Sequence, residues 1–193
     1  MDKLLIIDFG SQYTQLIARK IRELNVFCEV IPYQSYNSDR LDNRNIKGLI
    51  LSGGPDSIVS NNTYKRIDIS NRIPILGICY GAQLLVKEFG GIVLHEKDGE
   101  YGNTTANIIE PDEILNGILE NFNVWMSHND TISKLPENWK ILSKTKNNKI
   151  SVFNYDNFYG VQFHPEVSHT KCGSVIFDNF LKICNCSRKW TDE

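Results

Sequence analysis

Pro74-Ile75-Leu76-Gly77-Ile78-Cys79-Tyr80-Gly81-Ala82-Gln83-Leu84-Leu85-Val86-Lys87-Glu88-Phe89-Gly90-Gly91 decides how this sequence folds. Pro74 to Ile78 is a short apolar run without polar alternation, as in a strand buried on both faces. From Ala82 to Phe89 the pattern becomes helical, and Gly90 and Gly91 end it. Between the two stands Gly77-Ile78-Cys79-Tyr80-Gly81, a strand-to-helix elbow of the G-x-S-x-G kind with cysteine at its centre. Bulky neighbours would collide across so sharp a turn, hence the glycines. The elbow leaves the Cys79 sulfur at the C-terminal edge of a sheet, where doubly wound folds carry their sites. It also puts the sulfur at a helix N-terminus, whose partial positive charge favours thiolate. The Tyr80 N–H is one of the unpaired donors there and is suited to a developing oxyanion. A short G-x-C-x-G also fits a structural cysteine buried at a strand end. A base elsewhere decides between the two.

Before the elbow, strand and helix alternate. Lys3 to Asp8 reads as a strand, and Ser11 is placed to cap a helix carrying Leu16, Ile17, Ile21 and Leu24. Phe27 to Pro32 and Ile46 to Leu51 read as strands, the latter ending in Ser52-Gly53-Gly54-Pro55, and a helix is expected over Thr63 to Asn71. This alternation predicts an α/β fold with a doubly wound, mostly parallel sheet. After the elbow the pattern is of short strands: Ile92 to His95, Thr104 to Ile109, Asn123 to Met126, Lys140 to Lys144, Ile150 to Phe153 and Tyr159 to Phe163. Asp98-Gly99 and Asn147-Asn148 read as turns among them. A final helix spans about Gly173 to Cys184. This half is expected to form a small antiparallel flank and to return one or more strands to the main sheet.

The candidate base is His164 in His164-Pro165-Glu166, directly after the strand-like Tyr159 to Phe163. Imidazole can take a thiol proton and later protonate a leaving amine near neutral pH. A carboxylate two residues on can orient the ring and stabilise its charged form, with Pro165 fixing the spacing. Of the other histidines, His95 lies in a strand-like segment with no evident partner and reads as structural. The role of His169 is open. His128 sits in Ser127-His128-Asn129-Asp130, which fits a plain loop and a substrate-binding cluster equally.

Composition bounds the class. The 193 residues suffice for one domain, with 41% hydrophobic and 23% charged residues as in soluble globular proteins. A net charge of −2 without a basic run argues against electrostatic nucleic-acid binding. No stretch nears the roughly 20 apolar residues of a membrane span, and no secretory signal is read, so a cytoplasmic protein is expected. Five cysteines, irregularly spaced, argue against a disulfide framework. Cys184-Asn185-Cys186 lacks a second ligand pair at zinc spacing. No metal is expected.

Ser52-Gly53-Gly54-Pro55, Gly77-Ile78-Cys79-Tyr80-Gly81 and His164-Pro165-Glu166 occur in the order found in the class I, or triad, glutamine amidotransferases, which the chain resembles over essentially its whole length. The resemblance implies a flavodoxin-like fold and a nucleophile, base and orienter at Cys79, His164 and Glu166. It implies an oxyanion hole from the Gly54 and Tyr80 N–H groups, and glutamine binding by Gln83 and by Ser127, His128, Asn129 and Asp130. Asn129 departs from the glycine of many relatives and adds a side chain beside that cluster. Asp8 to Leu16, Val124 to His128, Tyr159 to Thr170 and Ile183 to Thr191 are most similar to the amidotransferase domain of the GMP synthetases. That implies a domain over 1–188 and, from 189–193, the start of a linker to an ATP-pyrophosphatase domain. There ATP and Mg2+ would serve the conversion of XMP to GMP in a homodimeric full-length protein, while this domain itself needs no cofactor. An amidotransferase for another acceptor, a related cysteine γ-glutamyl hydrolase and a binding domain with a silent site are the alternatives; all three triad residues are present, against the last.

Overall fold

Leu4 and Ile6 of the first strand, β1 (Lys3–Asp8), face one apolar core and Leu5 and Ile7 the opposite one, and all four are fully buried. A strand covered on both faces must be apolar at every position, which is why its sequence lacks alternation. The structure, a computed structural model, describes residues 1–60, 64–69 and 72–191. After β1 come helix α1 (Thr14–Glu23), β2 (Phe27–Pro32), β3 (Ile46–Leu51), β4 (Ile75–Ile78) and α2 (Tyr80–Glu88). Then follow β5 (Ile92–Ile108), β6 (Asn121–Lys134), β7 (Lys140–Thr145), β8 (Ile150–Tyr155), β9 (Phe158–Val161) and α3 (Gly173–Ile183).

Among the described residues the strands form one sheet in the order β2-β1-β3-β4-β9-β8-β7-β5-β6. The segment β2-β1-β3-β4-β9 is parallel and the rest antiparallel. β9 is thus the strand that returns to the main sheet, and the antiparallel part is continuous with it through β8. Ile17 and Ile21 of α1 join Phe177 and Phe180 of α3 in one core, whereas Leu84 and Leu85 of α2 join the other. Helices therefore cover both faces. Each fully buried Leu, Ile or Phe contributes about 1.5–3 kcal/mol over its exposed state. From β1 the chain goes outward to β2 and then crosses to β3 on the other side. That reversal opens a crevice at the C-terminal ends of β1, β3 and β4.

Several local expectations change. Ser11 does not cap α1; its Oγ accepts from the Tyr13 N–H at 3.1 Å and closes a turn before the helix. The helix expected over Thr63 to Asn71 is absent from residues 64–69, which are irregular, while Thr63, Ser70 and Asn71 lie outside the described residues. Ile67 and Ile69 both pack on the α2-side core, and a spacing of two suits extended chain rather than a helix. The segments expected at Ile92 to His95 and Thr104 to Ile109 fall in one strand, β5, which ends at Ile108, and Asp98-Gly99 is no turn. It lies in a register irregularity between His95 and Glu100, a bulge that bends β5 without ending it. Ser127 to Asp130 is likewise not a loop but the middle of β6, paired with β5. No helix among the described residues is long and apolar enough to cross a membrane.

Candidate active site

Four strand ends meet at one cleft of about 530 Å³. Residues 10–13 follow β1, 54–57 follow β3, Cys79 follows β4 and His164 follows β9; β5 and β6 supply His95, Tyr101 and residues 127–130. The cleft lies at the crevice set by the strand order.

Cys79 holds φ 50° and ψ −105°, a conformation that L-residues rarely adopt, and stands as the cap of α2. Its N–H donates to Val161 O at 2.8 Å and the Gly81 N–H to Ser52 O at 3.1 Å, so β9 and the end of β3 hold the elbow. A Cβ on Gly77 would lie 2.6 Å from Gly81 O, and one on Gly81 would lie 2.3 Å from Leu51 O. Close backbone approach, rather than left-handed dihedrals, is what requires glycine at both places. The sulfur is nearly buried, 3.8 Å from Ser127 O, with Gln162 Nε2 donating toward it at 3.9 Å.

His164 meets Cys79 beside Gly53. A Cβ there would stand 3.1 Å from His164 Cε1 and 3.8 Å from Cys79 Cβ. His164 Nδ1 lies 2.8 Å from Glu166 Oε1, and both side chains are buried. Burial alone would lower the imidazole pKa, but the Cys79 sulfur and the Glu166 carboxylate outweigh it and push it up to about 11. Tyr13 sets its ring edge against the imidazole, with centroids 5.4 Å apart. Three backbone anchors fix this loop: the His164 N–H donates to Trp125 O at 3.0 Å, the Trp125 N–H donates to Thr170 Oγ1 at 3.0 Å, and Gly173 packs on Pro165 O.

No protein acceptor takes the N–H of Gly54 or Tyr80 among the described residues, and both residues line the cleft. Gly54 packs so closely on Phe9 that a Cβ would come 3.0 Å from its carbonyl oxygen and 3.5 Å from Tyr80 Cγ. Gln83 lines the cleft but is itself buried, its Nε2 donating to Asp130 O at 2.7 Å and to Gln162 Oε1 at 3.4 Å. Ser127 and Asn129 are exposed on β6 at the cleft wall. His128 is buried, with Nδ1 2.8 Å from Asp130 O and Nε2 3.3 Å from Glu100 Oε2. Because a carbonyl only accepts, Nδ1 carries a proton. The Asp130 carboxylate is buried and turned to protein donors.

Other cleft-side groups carry no pattern in the sequence. His95, expected to lack a partner, lines the cleft with Nδ1 2.8 Å from Asp130 Oδ1. That partner is 35 residues away on the neighbouring strand, visible only once the β5–β6 register pairs the two. The contacts of Gln162 with the Cys79 sulfur and of Glu100 with His128 likewise join residues far apart in the chain. His169 lies apart from the cleft, its ring 4.4 Å from that of Trp125. The five cysteines are free, and burial pushes the Cys184 thiol up.

The family model described as glutamine amidotransferase class-I matches residues 5–184. The chain is 48% identical to the glutamine-hydrolyzing GMP synthase of Petrotoga mobilis, with 99% of this chain and 38% of that protein covered. It is 44% identical to that of Porphyromonas gingivalis, with the same shares covered. The chain thus spans 38% of the length of these curated relatives. Among solved structures it resembles a protein described as a GMP synthase subunit from Thermoplasma acidophilum, with a TM-score of 0.82 and 33% identity over 96% of this chain and 94% of the other. A glutamine amidotransferase of Thermotoga maritima shares the fold, with a TM-score of 0.72 at 21% identity over 97% of this chain and 87% of the other.

Proposed function

The chain belongs to the class-I glutamine amidotransferases, and from that premise we propose that it hydrolyses L-glutamine to glutamate and ammonia with Cys79, His164 and Glu166. The observation that carries this reading is the Cys79 elbow, with its strained backbone, facing an imidazole whose far nitrogen is held by a buried carboxylate. Glu166 accepts from His164 Nδ1 and so leaves Nε2 for the thiol. The sulfur attacks the side-chain amide carbon while His164 holds the proton, in the charged form that Cys79 and Glu166 favour. The carbonyl oxygen becomes an oxyanion received by the Gly54 and Tyr80 N–H groups. Collapse of the adduct breaks the C–N bond, His164 returns the proton to the nitrogen, and ammonia leaves. Water then hydrolyses the γ-glutamyl thioester, with His164 again as base, and frees the thiol. Gln83, Ser127, His128 and Asn129 bound the space for the amino-acid end of the substrate.

The ammonia serves an ATP-dependent synthetase domain or subunit that converts XMP to GMP. The names of the relatives and the share of their length that the chain spans support this. The test is intact-mass labelling with 6-diazo-5-oxo-norleucine followed by peptide mapping. One adduct on Cys79, prevented by excess glutamine, is expected. An adduct elsewhere, or labelling indifferent to glutamine even with the synthetase part and nucleotides present, would reject the reading.

A further inference from the structure

Helix α3 ends in a left-handed turn that brings two thiols together. Asn185 holds φ 52°, its N–H donates to Lys182 O at 2.9 Å, and the Cys186 N–H reaches back to Leu181 O at 3.2 Å. Those two bonds close the helix as a Schellman motif with Cys184 as its cap. Residues on either side of one helical residue lie about 5.5 Å apart at Cα, a separation that a disulfide spans. The side chains use that approach, for the Cys184 and Cys186 sulfurs share a hydrogen bond. Cys184 is buried, and a Cβ on Gly48 of β3 would collide with its sulfur. Cys186 is half-buried and packs on the same core. The two thiols are unequal. Burial and the neighbouring sulfur push Cys184 up, so it stays the donor. The hydrogen bond from Cys184 holds Cys186 down, helped by Lys47 and Arg188 and opposed by burial and Asp2. Cys184 also lines a second cleft of about 580 Å³, with Ile46 at the start of β3 and Pro74 and Asn157 just before β4 and β9. This is the end of the parallel strands opposite Cys79.

We propose that Cys184 and Cys186 form a two-cysteine oxidation site for hydrogen peroxide, separate from the amidotransferase site and independent of it. The Cys186 thiolate attacks one peroxide oxygen, so that an S–O bond forms, the O–O bond breaks and hydroxide leaves, taking a solvent proton to become water. The Cys184 sulfur then attacks the sulfenic acid. The S–S bond forms, the S–O bond breaks, and the departing hydroxide takes the Cys184 proton as a second water. Two thiols thus lose two electrons and the peroxide is reduced to two waters. The bridge closes where the chain leaves α3 for Ser187, whose N–H donates to Asp2 Oδ2 at 2.9 Å, and for Trp190, whose N–H donates to Asn25 O at 3.1 Å. Oxidation therefore ties the exit of the chain to the helix end covalently.

Trypsin leaves both sulfurs in the fragment Ile183–Arg188 and Cys172 in the fragment Cys172–Lys182, so one digest reads them apart. The unsubstituted chain is exposed to hydrogen peroxide, denatured, treated with N-ethylmaleimide to cap the remaining thiols, digested and weighed. Ile183–Arg188 is expected to become lighter by two hydrogens, to escape the maleimide and to be restored by dithiothreitol. It should form at least about tenfold faster than Cys172 is oxidised, because burial pushes that thiol up to about 11 and starves it of thiolate. In Cys184→Ser, dimedone should capture a sulfenic acid at Cys186; in Cys186→Ser, Cys184 should stay reduced. Cys79→Ala should give the same oxidised fragment as the unsubstituted chain. The proposal is overturned if Cys186 advances to sulfinic acid while Cys184 still takes the maleimide, or if the bridge joins two chains. A pair oxidised no faster than Cys172, or a product that depends on Cys79, overturns it as well.

Discussion

His164 Nδ1 stands 2.8 Å from Glu166 Oε1, while the second carboxylate oxygen, Oε2, is buried with no hydrogen-bond partner among the described residues. The carboxylate therefore acts on the imidazole alone. Glu166→Gln can turn its oxygen to His164 Nδ1 and leave its NH2 where Oε2 was, so it keeps the orienting contact and loses the charge. Glu166→Ala loses both. The expected order of glutaminase kcat is parent, Glu166→Gln, Glu166→Ala, then His164→Ala. On the proposed mechanism Glu166→Ala should retain about 10- to 100-fold more activity than His164→Ala, because an orienting group contributes less than a base. Steady-state rates of glutamate release check the order, and equal loss in Glu166→Ala and His164→Ala would contradict it.

The raised pKa of His164 carries a consequence for stability. Burial pulls this imidazole toward neutrality, but the Cys79 sulfur and Glu166 hold its charged form more strongly. A folded-state pKa above the unfolded value of about 6.5 means that the folded state binds the extra proton. The contribution is therefore complete below about pH 6.5 and is lost as pH rises toward about 11, the folded value. Urea unfolding at stepped pH should show the stability gap between the parent and His164→Asn shrinking from pH 7 upward. In NMR titrations, the His164 ring of Cys79→Ala should lose its proton at lower pH than in the parent. A gap that widens with pH would refute the assignment of cause.

The parallel half of the fold is legible in the sequence because strands buried on both faces carry their own signal. Phe27–Pro32 and Ile46–Leu51 fall where apolar runs place them. The elbow is legible for the same reason, since its chemistry lies in five consecutive residues. The antiparallel half is less legible. In β5, 17 residues long, exposed and buried positions alternate irregularly about a bulge, and local turn residues imitate an end that pairing with β6 overrides. The site divides along the same line. His164 and Glu166 are two residues apart and declare each other, whereas the partners of Asp130 lie 35 and more than 70 residues away. Such contacts are set by register and packing, which no local pattern encodes. The segment 64–69 misleads because isoleucines spaced by two within a charged stretch suit either a helix face or an extended strap, and packing on the core selects the strap.

Gly81 is the stiffest steric requirement of the elbow. Its missing side chain admits Leu51, whose carbonyl oxygen, carbonyl carbon and Cβ would lie 2.3, 2.7 and 2.7 Å from an added Cβ. These atoms belong to the central strand β3 and have no room to retreat. Gly81→Ala should therefore destabilise the fold by about 3 kcal/mol, the upper end of ordinary overpacking. It should also slow alkylation of Cys79 in whatever fraction remains folded, because the elbow must open to admit the methyl group. Chemical denaturation of the variant beside the parent measures the first effect. A change under about 0.5 kcal/mol, the range of neutral surface substitutions, would show that the elbow can yield.

Cys79 itself carries backbone strain. At φ 50° and ψ −105° the residue lies outside the ordinary regions for an L-amino acid, a state that costs on the order of 1–3 kcal/mol. The surrounding structure enforces it through the Cys79 N–H bond to Val161 O and the Gln83 N–H bond to Cys79 O, at 2.8 and 3.0 Å. Alanine keeps the strain and glycine relieves it, at the expense of about 0.5–1 kcal/mol of unfolded-state entropy. Cys79→Gly should accordingly be more stable than Cys79→Ala by roughly 1 kcal/mol in thermal or urea unfolding. Both should lose glutamine hydrolysis completely. Joined to a synthetase domain, both should still support synthesis from added ammonia, since the acceptor chemistry does not pass through the thiol. Should Cys79→Ala prove the more stable of the two, the elbow stores no strain and the sulfur is held in place by packing alone.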